Sequence, residues 1–177
     1  QLGMMDWAKG SNLLLYSEIL ASNAGAVLSY TTSPLGDLSG LKLNENTSTS
    51  QHHGTSYHSS VVQGTTYSVS VFIKKGTYDM VKIYTGSSYI PAVLTIIFST
   101  ETATLSGGIS GSNFIEPFSN GWYRVGFSGV VILTGNMVLY TPIQDLSTYT
   151  GNVSQYTEYW GMQIEESTSA GNYILTD

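Results

Sequence analysis

The chain has 177 residues, of which 10% are charged, and it carries a net charge of −6 at pH 7. This length suits one domain with a substantial core, and the acidic balance excludes the basic patch that a nucleic-acid partner requires. The sequence contains no cysteine, which excludes a thiol nucleophile and a thiolate metal site.

The first predicted segment is a lead-in at residues 1–11, followed by a single domain at residues 12–177. Met4, Met5 and Trp7 are apolar for an exposed terminus, so we predict that they contact another subunit. The longest apolar runs of the chain fall far short of the roughly 20 residues that span a bilayer, which predicts no membrane insertion.

Short strands are predicted along the rest of the chain, separated by turn residues. Asn12 to Tyr16 and Ala26 to Thr31 come first, and Thr65 to Lys75 has the clearest alternation of apolar and polar residues. Met80 to Thr85 follows, with Lys82 and Tyr84 on one face. A last short strand is predicted close to the C-terminus, from Asn172 to Leu175.

A long strand is predicted to begin at Trp122, directly after an Asn-Gly turn. Tyr123, Val125 and Phe127 then share one face, and Trp122 shares the other face with Arg124. Either these last two side chains face a ligand, or the guanidinium simply stacks on the indole ring.

The strand from Tyr156 to Glu166 shows the second alternation of functional interest. Strict alternation places Trp160, Met162 and Ile164 on the core face. The opposite face then carries Tyr159, Gly161, Gln163 and Glu165. No segment shows sustained helical periodicity, so the elements together predict an all-β domain, either a two-sheet sandwich or a barrel.

Six segments matter through their order along the chain: Asn12–Glu18, Tyr67–Gly76, Ile115–Pro117, Asn120–Arg124, Tyr159–Glu165 and Tyr173–Thr176. In this order they resemble a module of tailed-phage virion proteins such as tail fibres and spikes. The resemblance implies a carbohydrate-binding-like jelly roll, similar in architecture to the binding modules of glycoside hydrolases. It covers roughly residues 12–176 and implies a location on the virion surface.

A sugar site needs an aromatic face for the pyranose ring and planar polar groups for its hydroxyls. If the outward strand faces lie side by side on one sheet, seven residues form such a surface. We then expect Trp122→Ala to abolish glycan binding without unfolding the domain. The seven predicted glycan-binding residues are Trp122, Arg124, Tyr84, Lys82, Tyr159, Gln163 and Glu165.

A structural Ca²⁺ is the second predicted feature, since jelly-roll modules commonly hold one between the first and last strands. Glu18 and Glu165 come from the appropriate ends of the chain to supply carboxylate ligands. The structural alternative is that each carboxylate accepts hydrogen bonds at a turn. Apart from this ion, no cofactor is predicted.

Three functional hypotheses remain open from the sequence. The first is a non-enzymatic virion module that binds host or environmental glycans, and the second is an architectural piece that holds virion subunits together. A homo-oligomer, above all a trimer, is expected with either one. The third is a glycan-cleaving enzyme with a carboxylate pair such as Glu101 and Glu116, although neither lies in a catalytic motif.

Overall fold

The structure, a computed structural model, describes residues 11–86, 88–107 and 111–176. Over these residues the chain forms sixteen strands and a short 3-10 turn at Ser119–Gly121. No helix in this described part is long and apolar enough to cross a membrane. The strands, in chain order, are β1 (Ser22–Ala24), β2 (Ala26–Thr31), β3 (Gly40–Glu45), β4 (Thr49–Ser50), β5 (His53–Thr55), β6 (Ser59–Val61), β7 (Thr66–Lys74), β8 (Met80–Tyr84), β9 (Val93–Ile97), β10 (Thr102–Ser106), β11 (Asn113–Pro117), β12 (Trp122–Val130), β13 (Gly135–Met137), β14 (Tyr140–Pro142), β15 (Tyr149–Thr150) and β16 (Tyr156–Glu165).

Two six-stranded antiparallel sheets contain most of these strands. Sheet I has the order β1-β5-β14-β8-β9-β10, and sheet II has the order β11-β12-β7-β16-β3-β2. The chain passes between the sheets repeatedly, for example from β7 in sheet II to β8 in sheet I. The predicted all-β jelly-roll sandwich of two antiparallel sheets is confirmed.

The core lies between the two sheets and follows the predicted alternation in most strands. Val71 and Ile73 of sheet II are buried in the same apolar cluster as Ile83 and Leu94 of sheet I. The alternation predicted for β7 is therefore confirmed, because every second side chain of a strand points to the same side. The face that Tyr123, Val125 and Phe127 were predicted to share in β12 is also confirmed, and it lies against the same cluster. We call the opposite side of each sheet its outer face.

The predicted strand from Asn12 to Tyr16 is wrong, because this stretch adopts irregular backbone alongside β16. The amide of Leu13 donates to the carbonyl of Ile164 at 2.7 Å. Tyr16 then has a φ of 56°, in the left-handed region, which ends any extended conformation. The segment is thus attached to the edge of a strand without forming one.

A β-bulge in β16 overturns the predicted alternation of its first half. The register with β7 shifts between Trp160 and Gln163, and Gly161 has a φ of 59°. The extra residue reverses the side on which the preceding side chains lie. Tyr159 therefore points into the core and Trp160 points to the outer face, the opposite of the prediction, while Met162 lies in the core as predicted.

Gly161→Ala is expected to lower the free energy of unfolding by about 1–3 kcal/mol. A Cβ atom at this position would lie 3.0 Å from Tyr173 Cε2 and 3.1 Å from Phe72 Cδ2. The left-handed backbone is also unfavourable for alanine, so strain and crowding act together. Equilibrium denaturation in urea measures the change.

Gly64→Ala is the matched control for this substitution. Gly64 also has a positive φ, of 83°, but a Cβ atom there would meet nothing within 4 Å. The difference between the two variants isolates the contribution of the bulge and its aromatic neighbours. Equal losses of stability at the two positions would contradict the role assigned to the bulge.

Candidate functional site

The seven predicted glycan-binding residues lie on two different sheets. Lys82 and Tyr84 belong to β8 in sheet I, whereas the other five belong to β12 and β16 in sheet II. Because the two sheets pack face to face, their outer faces point away from each other. The seven side chains therefore do not form the single surface that was expected from the sequence.

Tyr159 is the clearest correction among them. Its side chain is fully buried in the core between the sheets, and its hydroxyl donates to the carbonyl of Pro142. Burial raises the pKa of the Tyr159 phenol well above its ordinary value. A phenol in this position anchors sheet II to sheet I and presents no face to a ligand.

Trp122 is on the outer face of sheet II, as predicted, but it is only 1% exposed. It lies in an outer aromatic cluster with Phe72, Trp160 and Tyr173. Its indole Nε1 is buried without a hydrogen-bond partner among the described residues. The ring is thus covered by its neighbours and offers no free surface for a sugar.

Gln163 holds the C-terminal segment against sheet II. Its Nε2 donates to the carbonyl of Asn172 at 3.1 Å, and its Oε1 accepts from the amide of Ile174 at 2.8 Å. The segment from Asn172 to Leu175, predicted as a strand, is therefore irregular backbone fixed by a side-chain amide. Tyr173, between these two bonds, completes the outer aromatic cluster.

The two carboxylates predicted to bind calcium have separate hydrogen-bond partners. Glu165 Oε2 accepts from the amide of Gly171 at 2.8 Å, and Glu18 Oε1 accepts from the hydroxyl of Tyr173 at 3.3 Å. Within the described ranges no group of three or more His, Cys, Asp or Glu side chains is arranged to hold a metal ion. The calcium site stays a prediction.

The predicted subunit contact at Met4, Met5 and Trp7 lies outside the described residues and also stays a prediction.

The outer face of sheet I brings two tyrosines together. Tyr140 of β14 lies directly opposite Tyr84 of β8, and both side chains are half-buried. Directly opposed residues of an antiparallel pair have their Cβ atoms about 4.5–5.5 Å apart. The two phenol rings therefore share one patch of the surface. We call this patch the tyrosine face, defined by Lys82, Tyr84, Thr95, Tyr140 and Asp145.

Polar groups lie next to the rings on the tyrosine face. Lys82 is in register with Thr95 of β9, and its Nζ lies 3.9 Å from Asp145 Oδ2. The side chains of Lys82 and Asp145 are 32% and 20% exposed, so both remain accessible from solvent. Burial and, to a lesser degree, the Asp145 charge raise the pKa of Tyr84, which keeps its hydroxyl neutral near pH 7.

His53 supports the tyrosine face from the neighbouring strand. Its ring lies 5.3 Å from the ring of Tyr140, centroid to centroid, at an interplanar angle of 59°. Burial, followed by the charge of His52, lowers the pKa of His53, so the imidazole is neutral near pH 7. A neutral, buried ring restricts the movement of Tyr140 without adding charge to the surface.

The sequence identified Lys82 and Tyr84 of the tyrosine face and missed Thr95, Tyr140 and Asp145, together with the supporting His53. No local pattern marks Tyr140, Asp145 or His53, because β5, β14 and β8 are neighbours in the sheet but distant in the chain. The signal that sequence did offer was the alternation of β8, which placed Lys82 and Tyr84 on one face. That shared face is confirmed.

Comparisons with known proteins find likeness at the level of structure and none at the level of sequence families. No model of a protein family matches the chain, and no curated protein matches it. Among solved structures, the chain is similar to the CBM22-1 xylan-binding domain of Xyn10C from Paenibacillus barcinonensis, with a TM-score of 0.46 and 10% sequence identity. The match covers 92% of this chain and 97% of that domain. At this score and identity the likeness assigns no ligand.

Proposed function

We propose that this chain is a non-enzymatic glycan-binding module and that the tyrosine face is its binding surface. The observation that carries the proposal is the pairing of Tyr84 with Tyr140 on neighbouring strands, beside the accessible Lys82 and Asp145. Aromatic rings next to a few polar groups are the usual composition of a sugar site. A pyranose stacks its apolar face on the phenols.

The polar rim selects the orientation of the sugar. The Lys82 ammonium donates hydrogen bonds, the Asp145 carboxylate accepts them, and the Thr95 hydroxyl does both. A pair of neighbouring sugar hydroxyls meets this combination of donor and acceptor. Each site of this size binds weakly, and several copies on one particle raise the overall affinity through multivalency.

The proposed setting is the surface of a phage virion, where the module would be present as a homotrimer. Support comes from the sequence segments that resemble tailed-phage virion modules, notably Asn120–Arg124 and Tyr159–Glu165. Size-exclusion chromatography with light scattering tests the trimer. A monomer at micromolar concentration would contradict it.

A glycan-cleaving activity is the third hypothesis, and the tyrosine face, as the structure describes it, lacks the pair of carboxylates that would favour it. Hydrolysis of a glycosidic bond uses two carboxylates that flank the bond. Among its described residues the tyrosine face carries one carboxylate, that of Asp145. Of the pair considered from sequence, Glu101 accepts from the Tyr123 hydroxyl at 2.8 Å, and Glu116 lies in register with Arg124 of sheet II.

A second candidate function is architectural, and a different surface favours it. Leu15, Tyr16, Ile19 and Leu175 are between 44% and 59% exposed, close to where the two ends of the described chain meet. A shallow cleft of about 320 Å³ lies in this patch and is lined by Tyr16, Glu18, Ile19, Leu175 and Thr176. An exposed apolar patch of this kind is typical of a contact between subunits.

Tyr84→Ala and Tyr140→Ala are each expected to weaken glycan binding about tenfold or more, since one aromatic contact is lost from the stack. A glycan array identifies the ligand, with calcium and then with EDTA, and titration calorimetry measures the affinity of each variant. Loss of binding in EDTA would support the calcium prediction.

Tyr30→Ala is the matched control, because Tyr30 is 67% exposed on β2 of sheet II, away from the tyrosine face. This variant is expected to bind like the unmodified protein. Circular dichroism confirms that all three variants are folded. A blank array with folded protein would shift the assignment to the architectural function, and equal losses in all three variants would contradict the tyrosine face.

A further inference from the structure

A cleft of about 260 Å³ lies at the β11 edge of sheet II, on the sheet opposite the tyrosine face. The register of β11 with β12 places Glu116 opposite Arg124 and Phe114 opposite Gly126. The C-terminal segment closes one side at Ala170. The cleft is thus a separate site, on a different sheet from the tyrosine face. Its principal wall residues are Ser112, Phe114, Glu116, Arg124, Ser128 and Ala170.

Arg124 brings unused hydrogen-bond donors to this cleft. A guanidinium carries five N–H groups. Among the described residues, Nη2 donates to Ser70 Oγ at 3.1 Å, and Nε is buried without a partner. Because Nε lies below the surface, a ligand in the cleft reaches the guanidinium through its other N–H groups, those on Nη1 and the second one on Nη2.

Phe114 supplies an apolar wall beside the guanidinium. The ring lies across Gly126, where a Cβ atom would come within 2.6 Å of Phe114 Cε1. The centre of the Arg124 guanidinium is 5.9 Å from the centroid of the Phe114 ring. The bare backbone of Gly126 therefore allows the ring to lie close to the sheet, next to the charged group.

The charges around Arg124 select against an anionic ligand. Glu165 and Glu116 both act on the guanidinium and oppose the lowering of its pKa by burial. The cleft wall itself carries one carboxylate, that of Glu116, and one guanidinium. The buried Glu165 adds a second negative charge close to Arg124, so the surroundings of the guanidinium are negative overall. Phosphate, sulfate or a sugar acid is repelled there, whereas a neutral molecule with both donors and acceptors is not.

The size of the cleft limits the ligand to one small ring. Pockets for drug-sized ligands are roughly 300–1,000 Å³, so this cleft holds a single sugar unit and not a chain. The Arg124 donors and the Glu116 acceptor match two neighbouring hydroxyls, and the Phe114 ring matches the apolar face of a pyranose. We propose that this cleft is a second carbohydrate site that takes one neutral pyranose unit through a pair of vicinal hydroxyls.

The test follows the Nε–H signal of Arg124 by ¹⁵N NMR of the whole chain. This signal needs no assignment, because Arg124 is the single arginine of the sequence. The probes are the methyl glycosides of D-glucose, D-galactose and D-mannose, each raised to about 50 mM because one weakly held sugar unit binds in the millimolar range. A saturable shift of the signal with at least one of them is expected.

Glu116→Gln is expected to weaken the response about tenfold, because a hydrogen bond to a charged acceptor is replaced by a neutral one. Glu116 is exposed, so the substitution leaves the fold intact. Glu166→Gln, at an exposed carboxylate near the end of β16, is the matched control and is expected to respond like the unmodified protein.

Three outcomes would overturn the proposal. They are a signal unmoved by every glycoside, a signal moved equally by cyclohexanol, and a signal moved by glucuronate or inorganic phosphate but by no neutral sugar. The tyrosine face is tested independently, because Tyr84→Ala is expected to leave the Arg124 response unchanged. Failure of one site is therefore distinguishable from failure of the other.

Discussion

Trp122→Ala is expected to lower the free energy of unfolding by about 3–5 kcal/mol. The indole is 1% exposed and packs with Phe72, Trp160 and Tyr173, so its removal leaves a cavity in the outer aromatic cluster. Glycan affinity of the molecules that remain folded is expected to be unchanged. Denaturation in urea, together with calorimetric titration at low temperature, measures both quantities.

Phe118→Ala is the control for this prediction. Phe118 also contacts the cluster, with its ring edge-on to Phe72 at 5.1 Å, but it is 46% exposed. We expect a loss of about 1 kcal/mol, since little surface is buried there. The sequence alone predicted that Trp122→Ala abolishes binding and preserves the fold. A stable Trp122→Ala protein that binds no glycan would support the prediction from sequence. It would contradict the conclusion that Trp122 is a buried packing residue with no contact to a ligand.

The sandwich itself was predictable because strand alternation is a local signal. In β7, Val69, Val71 and Ile73 point inward in the same register that their spacing predicts. Each such strand reports its own buried side independently of its partners. Turn residues between the strands exclude long helices in the same way, so composition and alternation together were enough for the fold class.

The alternation of β16 failed at one residue. Gly161 fits an extended strand as well as a bulge, and the bulge shows only in its φ of 59° and in the register shift against β7. A single additional residue moves every preceding side chain to the other side of the sheet. Trp160 and Tyr159 therefore exchanged places, and with them the predicted composition of the outer surface.

The candidate site was only half predictable because it depends on strand order. The face shared by Lys82 and Tyr84 follows from one strand, but their neighbours Tyr140 and Asp145 come from a distant part of the chain. Sequence offers no local indication that β14 pairs with β8. For the same reason, the assignment of Arg124 to the opposite sheet was not predictable.

Glu45 is a buried carboxylate that joins β3 to the segment leading into β16. It is 1% exposed, and its Oε1 accepts from the hydroxyls of Tyr78 at 2.8 Å and Tyr149 at 2.6 Å. Its Oε2 accepts from the amide of Asn152 at 2.7 Å. Burial first and the hydrogen bond to Glu45 second raise the pKa of Tyr78 to about 12. The same two causes raise the pKa of Tyr149, so both hydroxyls are neutral donors near pH 7.

Glu45→Ala is expected to lower the free energy of unfolding by about 3–5 kcal/mol, because three donors lose their acceptor at once. Glu45→Gln keeps one oxygen but turns an amide N–H₂ toward other donors, so a smaller loss of about 1–2 kcal/mol is expected. Glu166→Gln, at an exposed carboxylate, is expected to change stability by less than about 0.5 kcal/mol.

The Glu45 substitution also tests how the tyrosine face is held in place. Tyr149 and Asn152 follow Asp145 closely in the chain, so releasing them frees the segment that brings the Asp145 carboxylate to Lys82. We therefore expect the folded fraction of Glu45→Ala to bind glycan more weakly than the unmodified protein. Calorimetric titration at low temperature measures this, and full affinity would show that the Lys82–Asp145 pair is positioned without Glu45.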